Sequence, residues 1–204
     1  MHHHNPLEVQ EIISTAFQEA MTYAEYHVLV ENHAQTLTST GHNPPESYVQ
    51  YTVLNERRMK RWDKVFKINE EHKAKLRSLP VAYNCTAITE SWCGDAPPSM
   101  AVVNRFAEVT DNLELRVILR DENMEVMNAI SIDGKLSIPK FIIQEKSSGT
   151  IRAIWGSRPK ILQDMFDAFK EEHGAITPQF REEMQKWYNK DKGKEIAREL
   201  IHLL

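Results

Sequence analysis

The sequence predicts an α/β protein, a central sheet flanked by helices, with helical extensions at both ends. Three observations carry this. Strand-like and helix-like segments alternate through residues 80–173. Long stretches with helical apolar spacing lie on either side, in residues 5–79 and 174–204. In the middle, Thr89-Glu90-Ser91-Trp92-Cys93-Gly94-Asp95-Ala96-Pro97-Pro98 joins a buried strand to a helix. The chain therefore divides into an N-terminal helical extension (5–79), an α/β domain (80–173) and a C-terminal tail (174–204) too short to fold alone.

In the first extension Ile13, Phe17, Ala20, Ala24 and Val28 recur every three or four residues, the face of one amphipathic helix. Residues 36–45 hold Thr, Ser, Gly, Asn and two prolines, hence a loop. A second helix is expected from Pro45-Glu46, with Tyr48, Tyr51, Asn55, Met59, Trp62 and Phe66 on one face, continuing as charged helix through residues 64–77. The run Arg57-Arg58-Lys60-Arg61 reads as a solvated face, diluted by Glu56 and Asp63, with an anionic contact patch as the alternative.

From Pro80 the pattern changes. Residues 81–89 are β-branched and small apolar, a strand. After the cysteine turn, Met100, Val103, Phe106 and Ala107 mark a helix. Asp111-Asn112 makes a turn before a strand over 113–119. Asp121-Glu122-Asn123 caps a short helix with Met124, Met127 and Ile130 inward, and Asp133-Gly134 breaks it. Strands over 138–144 and 150–155 flank a hairpin-length loop containing Gly149. Gly156-Ser157-Arg158-Pro159 opens a helix carrying Ile161, Leu162, Met165, Phe166 and Phe169. The order is β-α-β-α-β-β-α. Helical connections imply that the first three strands run parallel, the last two forming an antiparallel hairpin. In the tail, Thr177-Pro178 starts a helix with Phe180, Met184, Trp187 and Tyr188 inward, and Ile196, Leu200 and Leu203 mark a final one.

Composition narrows the function classes. With 41% hydrophobic and 26% charged residues the chain suits a folded globular protein. A net charge of −4 lacks the basic face of a nucleic-acid binder. No apolar run reaches the ~18 residues that span a bilayer, and the N-terminus lacks the apolar core of a signal peptide. Two cysteines in a chain this long fit a reducing compartment, so a cytoplasmic location is expected. The histidines show no metal-like pairing, and His2, His3 and His4, native or tag, enter no metal argument; no metal site is expected.

Cys93 sits at a strand-to-helix junction, where backbone N–H groups and the helix dipole favour a thiolate. Trp92 on one side shields the sulfur and Gly94 on the other leaves room for a partner. Cys85, the only other cysteine, is not placed to resolve a disulfide with it. That needs Cα atoms within about 7 Å, whereas residues 85–89 alone cover ~13 Å if extended at ~3.3 Å per residue.

The order of elements, Trp92-Cys93-Gly94 after the first strand, and Ile138-Pro139 opening a later one together resemble the thioredoxin superfamily. More narrowly, they resemble bacterial thioredoxin-like proteins with a Trp-Cys-Gly-Asp turn and extra helices at both ends. The resemblance spans residues 80–173 and implies a thioredoxin-like three-layer core with a mixed central sheet. It also implies that Cys93 is the nucleophile and that Trp92, Gly94, Asp95, Ile138 and Pro139 form the docking surface, Pro139 cis and Ile138 offering backbone hydrogen bonds to an extended substrate. Departures narrow the chemistry. The second cysteine of the family falls at Ala96, which cannot resolve a mixed disulfide, so dithiol exchange through this turn is excluded. The buried acid of many relatives falls at Ala87. The Asp95 charge opposes thiolate formation, although its carboxylate could cap the helix.

Two functions stay open. One is a monothiol redox protein exchanging mixed disulfides with a protein or a low-molecular-weight thiol, the latter as co-substrate, with no other cofactor. The other is a non-catalytic thioredoxin-fold interaction module. An anion-binding turn is a third option. Oligomeric state and the identity of the partner are not encoded in any motif.

Overall fold

The computed structural model describes residues 5–131 and 134–204; His2–His4 and Asp133, with its expected helix break, lie outside them. The chain opens with α1 (Pro6–Glu19), β1 (Met21–Thr22) and α2 (Tyr23–Gln35). It is not one continuous helix, because Ala20 is extended and Thr22 forms a capping box with Glu25. Ala24 and Val28 are consequently exposed, and Tyr23, Tyr26 and Val30 form the inner face of α2.

Next come α3 (Glu46–Val65) and α4 (Glu70–Arg77). The expected charged continuation through 64–77 is interrupted, since Phe66 turns extended and Asn69 caps α4 by accepting the His72 N–H at 2.7 Å. The α/β unit follows as β2 (Tyr83–Thr89), α5 (Ala96–Ala107), β3 (Leu113–Leu119), α6 (Met124–Ile130), β4 (Lys140–Glu145), β5 (Ile151–Gly156) and α7 (Lys160–His173). The tail supplies α8 (Pro178–Asp191), capped by Thr177, and α9 (Lys194–Leu203).

The sheet order is β1-β3-β2-β4-β5. β2 is central and buried on both faces, which is why its sequence is apolar and small without alternation. β2 and β3 run parallel, but β4 runs antiparallel to β2, correcting the expectation of three parallel strands. A parallel return would carry the chain back along the seven residues of β3, ~23 Å. The seven-residue α6 covers only ~10 Å. The chain instead starts β4 at Lys140 opposite Ile88, at the end of β2 where Cys93 lies. The last two strands are antiparallel, as expected. β1 adds a two-residue antiparallel edge to β3 that the helical reading of 5–79 did not contain.

α1 packs with α6 and touches β2 and β3; α5 packs with β3, α3 and α9, and α9 also meets α4 and β5. The result is the mixed α/β, thioredoxin-like core with helical extensions. Trp62, Tyr26, Phe106, Phe141 and Met100 are fully buried at its centre. In α7 the inward position is Leu162, while Ile161 and Met165 face solvent. The extensions are part of this core. Ile196, Ala197, Leu200 and Ile201 of α9 are all buried, burial worth about 1.5–3 kcal/mol for each of the large side chains.

Candidate functional site: the Cys93 turn and its pocket

The turn between β2 and α5 is tight. Cys93 N donates to Glu90 O at 3.0 Å, and Ala96 N to Cys93 O at 3.3 Å. It is clamped from the N-terminal side through Ser91. The Ser91 hydroxyl takes the Thr40 N–H at 3.1 Å and lies 2.8 Å from Thr52 Oγ1, Ser91 N donates to Thr40 Oγ1, and Asn55 Nδ2 donates to Ser91 O at 2.9 Å. Four hydrogen bonds to one buried serine fix the turn against α3 and the loop before it. Trp92 stacks on Tyr48 of α3, ring centroids 4.2 Å apart, and the Arg120 guanidinium lies 5.0 Å from the centroid of the Trp92 ring.

Cys93 is 5% exposed. Its Sγ lies 3.4 Å from Ile138 O, to which the thiol donates. Burial, and after it the neighbouring Asp95 charge, pushes the thiol up to about 12. The expectation of a favoured thiolate is thus reversed. Helix-start N–H groups do act in the thiolate's favour, but desolvation outweighs them. Cys85 is also free and buried, on β2 between Leu115 and Ile143, and burial pushes it up to about 12.

Asp95 does not cap α5. Its carboxylate accepts the Tyr188 O–H at 3.1 Å and lies 2.8 Å from Arg158 Nε, an ion pair whose N–H is not aimed at the oxygen. Burial raises the Asp95 carboxyl, and Arg158 and Tyr188 pull it back. Gly94 O accepts from Gln185 Nε2 of α8 at 2.9 Å. The Ile138–Pro139 bond is cis, and Ile138 is 6% exposed. Against it lies Gly156 with φ +120°, where a Cβ would stand 2.2 Å from Pro139 O; only glycine fits there.

These residues meet at a cavity of about 510 Å³, inside the ~300–1,000 Å³ range of small-molecule sites. Trp92, Cys93, Gly94, Asp95 and Ile138 line it, whereas Pro139 does not. One wall is α3, with Tyr48, Tyr51, Leu54 and Arg58; another is α8, with Arg181, Met184 and Gln185. Arg120, Arg158 and Phe166 complete it together with Leu136 and Ser137. Sequence reasoning gathered the turn residues and missed these walls. A signal existed for Arg58, which falls on the same helical stripe as Tyr51 and Asn55. Arg57, Lys60, Arg61 and Lys64 line a separate surface depression. Among the described residues no group of His, Cys, Asp and Glu could hold a metal ion, and no helix is long and apolar enough to cross a membrane.

A mixed sheet carrying a Trp-Cys-Gly turn opposite a cis proline defines a thioredoxin-fold protein. The chain belongs to the thioredoxin family, whose model matches residues 41–173. A solved protein of unknown function from Pseudomonas aeruginosa is 11% identical with a TM-score of 0.61, the alignment covering 98% of this chain and 96% of that one. An HIV epitope-scaffold is 12% identical with a TM-score of 0.59, covering 93% and 95% respectively. These are likenesses of fold, extending over the terminal helices as well as the core. No curated protein matches the chain.

Proposed function

We propose that this is a thioredoxin-fold binding protein of the cytoplasm that has set aside disulfide exchange and receives a small molecule in the pocket over Cys93. The observation that carries the reading is the pocket itself: helices α3 and α8, outside the β-α-β-α-β-β-α unit, wall in the turn where a thioredoxin would present its thiol. Cys93, at its floor, is 5% exposed and bonded to Ile138 O. Ile138 has that carbonyl occupied and little surface left for an extended protein chain. The cytoplasmic location rests on the two free cysteines.

The monothiol reading has one observation in its favour, that Cys93 does line the cavity and a small disulfide entering it would meet the sulfur. The two readings separate in one experiment. The full chain is incubated with an oxidised low-molecular-weight thiol and followed by intact mass, in parallel with a thermal-shift screen of small organic compounds. Binding predicts compounds that raise the melting temperature of the wild type and not of Leu54→Trp, which fills the pocket, with no adduct formed. A stoichiometric adduct absent from Cys93→Ser overturns the binding reading in favour of exchange.

A further inference from the structure

The pocket is unevenly charged. Arg58, Arg120, Arg158 and Arg181 line it against Asp95 and Glu182. Most of these are already engaged: Arg158 pairs with Asp95, Arg120 with Asp121, and Glu182 with Lys186. Among the described residues Arg58 and Arg181 have no carboxylate within ion-pair distance. Arg58 is the more telling of the two. It is half-buried, and among the described residues its one hydrogen bond is from Nη1 to Asn55 Oδ1 at 2.9 Å, the same Asn55 that holds Ser91 O. The guanidinium is thereby anchored beside the turn, about 3.6 Å from where a Gly94 Cβ would stand. A guanidinium carries five N–H donors and does not lose its charge in a protein. Withdrawing it from water is unfavourable, and burial weakens its hold on the proton, an effect the Asp95 charge, which has Arg158 as its ion-pair partner, only partly offsets. The same cavity also has apolar and aromatic lining: Tyr51 and Leu54 on α3, Met184 on α8, and Phe166 on α7.

We infer that the pocket takes a small organic anion, its carboxylate, sulfonate or phosphate paired with Arg58 and assisted by Arg181, and its uncharged part apolar and seated against Tyr51, Leu54 and Phe166. This rests on the binding reading above and adds the ligand's chemical class. Recognition comes from α3 and α8, so the ligand needs no thiol. Arg58 is preorganised by Asn55, which lowers the ordering cost of gripping an anionic group.

The test uses two fluorescent probes of similar shape on the full chain: 8-anilinonaphthalene-1-sulfonate, an aromatic anion, and uncharged N-phenyl-1-naphthylamine. The expected result is saturable one-site binding of the sulfonate, at least tenfold tighter than the uncharged probe and weakened by added salt. Arg58→Gln is expected to weaken sulfonate binding tenfold or more while leaving the uncharged probe within twofold. Arg58→Lys, which keeps the charge, is expected to lose less. Arg61→Gln, on the same helix outside the pocket, is expected to change neither. Circular dichroism establishes that each variant is folded; should Arg58→Gln not fold, the comparison of the two probes and the salt series on the wild type decides. Equal binding of both probes, or an Arg58→Gln chain that holds the sulfonate within twofold of wild type, overturns the anion assignment. If the uncharged probe binds and Leu54→Trp expels it, the pocket survives as a binding site and only the anion class falls. If neither probe binds, both readings fall.

Discussion

The sharpest consequence of the site concerns the acidity of Cys93. The thiol is pushed up to about 12, against ~8.5 for a free cysteine. At pH 8 about one Cys93 in 10⁴ is then thiolate, compared with about a quarter of a free thiol, so ionisation alone slows alkylation some 2,000-fold. The low exposure of the sulfur slows it further. The measurement is the rate of iodoacetamide modification by intact mass between pH 6 and 10, in a Cys85→Ala chain so that one thiol remains. The rate is expected to climb tenfold per pH unit without levelling, and to lie at least 10³-fold below that of glutathione at pH 8. Asp95→Asn removes the second cause of the shift and is expected to raise the rate, while burial, the first cause, keeps the profile from levelling in this range. A plateau below pH 9 in the Cys85→Ala chain would refute the reasoning, because it would mean the turn stabilises the thiolate more than burial opposes it.

Three further outcomes follow from the same geometry. Both buried thiols stay protonated in the folded chain while those of the unfolded chain ionise above ~8.5, so their contribution is whole below pH 8 and is lost as pH rises from about 9 towards 12. Between pH 9 and 10 the loss approaches ~1.4 kcal/mol per thiol, a fall of several degrees in melting temperature that Cys85→Ala with Cys93→Ala should flatten. Gly156→Ala would set a Cβ 2.2 Å from a backbone oxygen at φ +120°; more than about 4 kcal/mol of destabilisation is expected, read as loss of soluble, cooperatively melting protein. Tyr188→Phe deletes the 3.1 Å hydrogen bond to the buried Asp95 carboxylate; about 1–3 kcal/mol should be lost in urea unfolding at pH 7, and less at low pH where the carboxyl is neutral.

Much of the fold was written in local pattern, and what was not depended on distance along the chain. The strand over β2, the helix of α5 and the Thr177 cap of α8 follow from periodicity and caps, which act within a few residues. The Thr22-x-x-Glu25 box that opens α2 was equally legible, but Ala20 and Ala24 continue the helical spacing across it and hid the break. β1 was not legible, because two residues have no period. The direction of β4 depends on how far α6 carries the chain, a length and not a composition. At the site, Trp92, Cys93, Gly94 and Asp95 are adjacent in sequence and were found together. Arg58, Arg181 and Gln185 come from helices 35 residues before and about 90 after Cys93. A single sequence says which stripe of those helices is apolar, not which turn it will face.

Asp95 ties these observations together. Beside a working nucleophile, a buried carboxylate is a liability, since its charge opposes the thiolate on which exchange depends. As a structural tie it makes sense. It is the point where Tyr188 of α8 and Arg158, just ahead of α7, converge on the turn, while Gln185 of α8 holds the next carbonyl, Gly94 O. Asn55 and Thr52 of α3 do the same from the other side through Ser91. The turn is therefore held by the helices that wall the pocket. Loosening it enough to bring Cys93 to a protein disulfide would break hydrogen bonds on both walls at once, each costing ~1 kcal/mol or more when a buried partner is left unsatisfied. Ala96 fits the same arrangement: at 2% exposure a second cysteine there would be as enclosed as Cys93 is, and the rigidity that suits a preorganised pocket is what the mixed-disulfide cycle would have to give up.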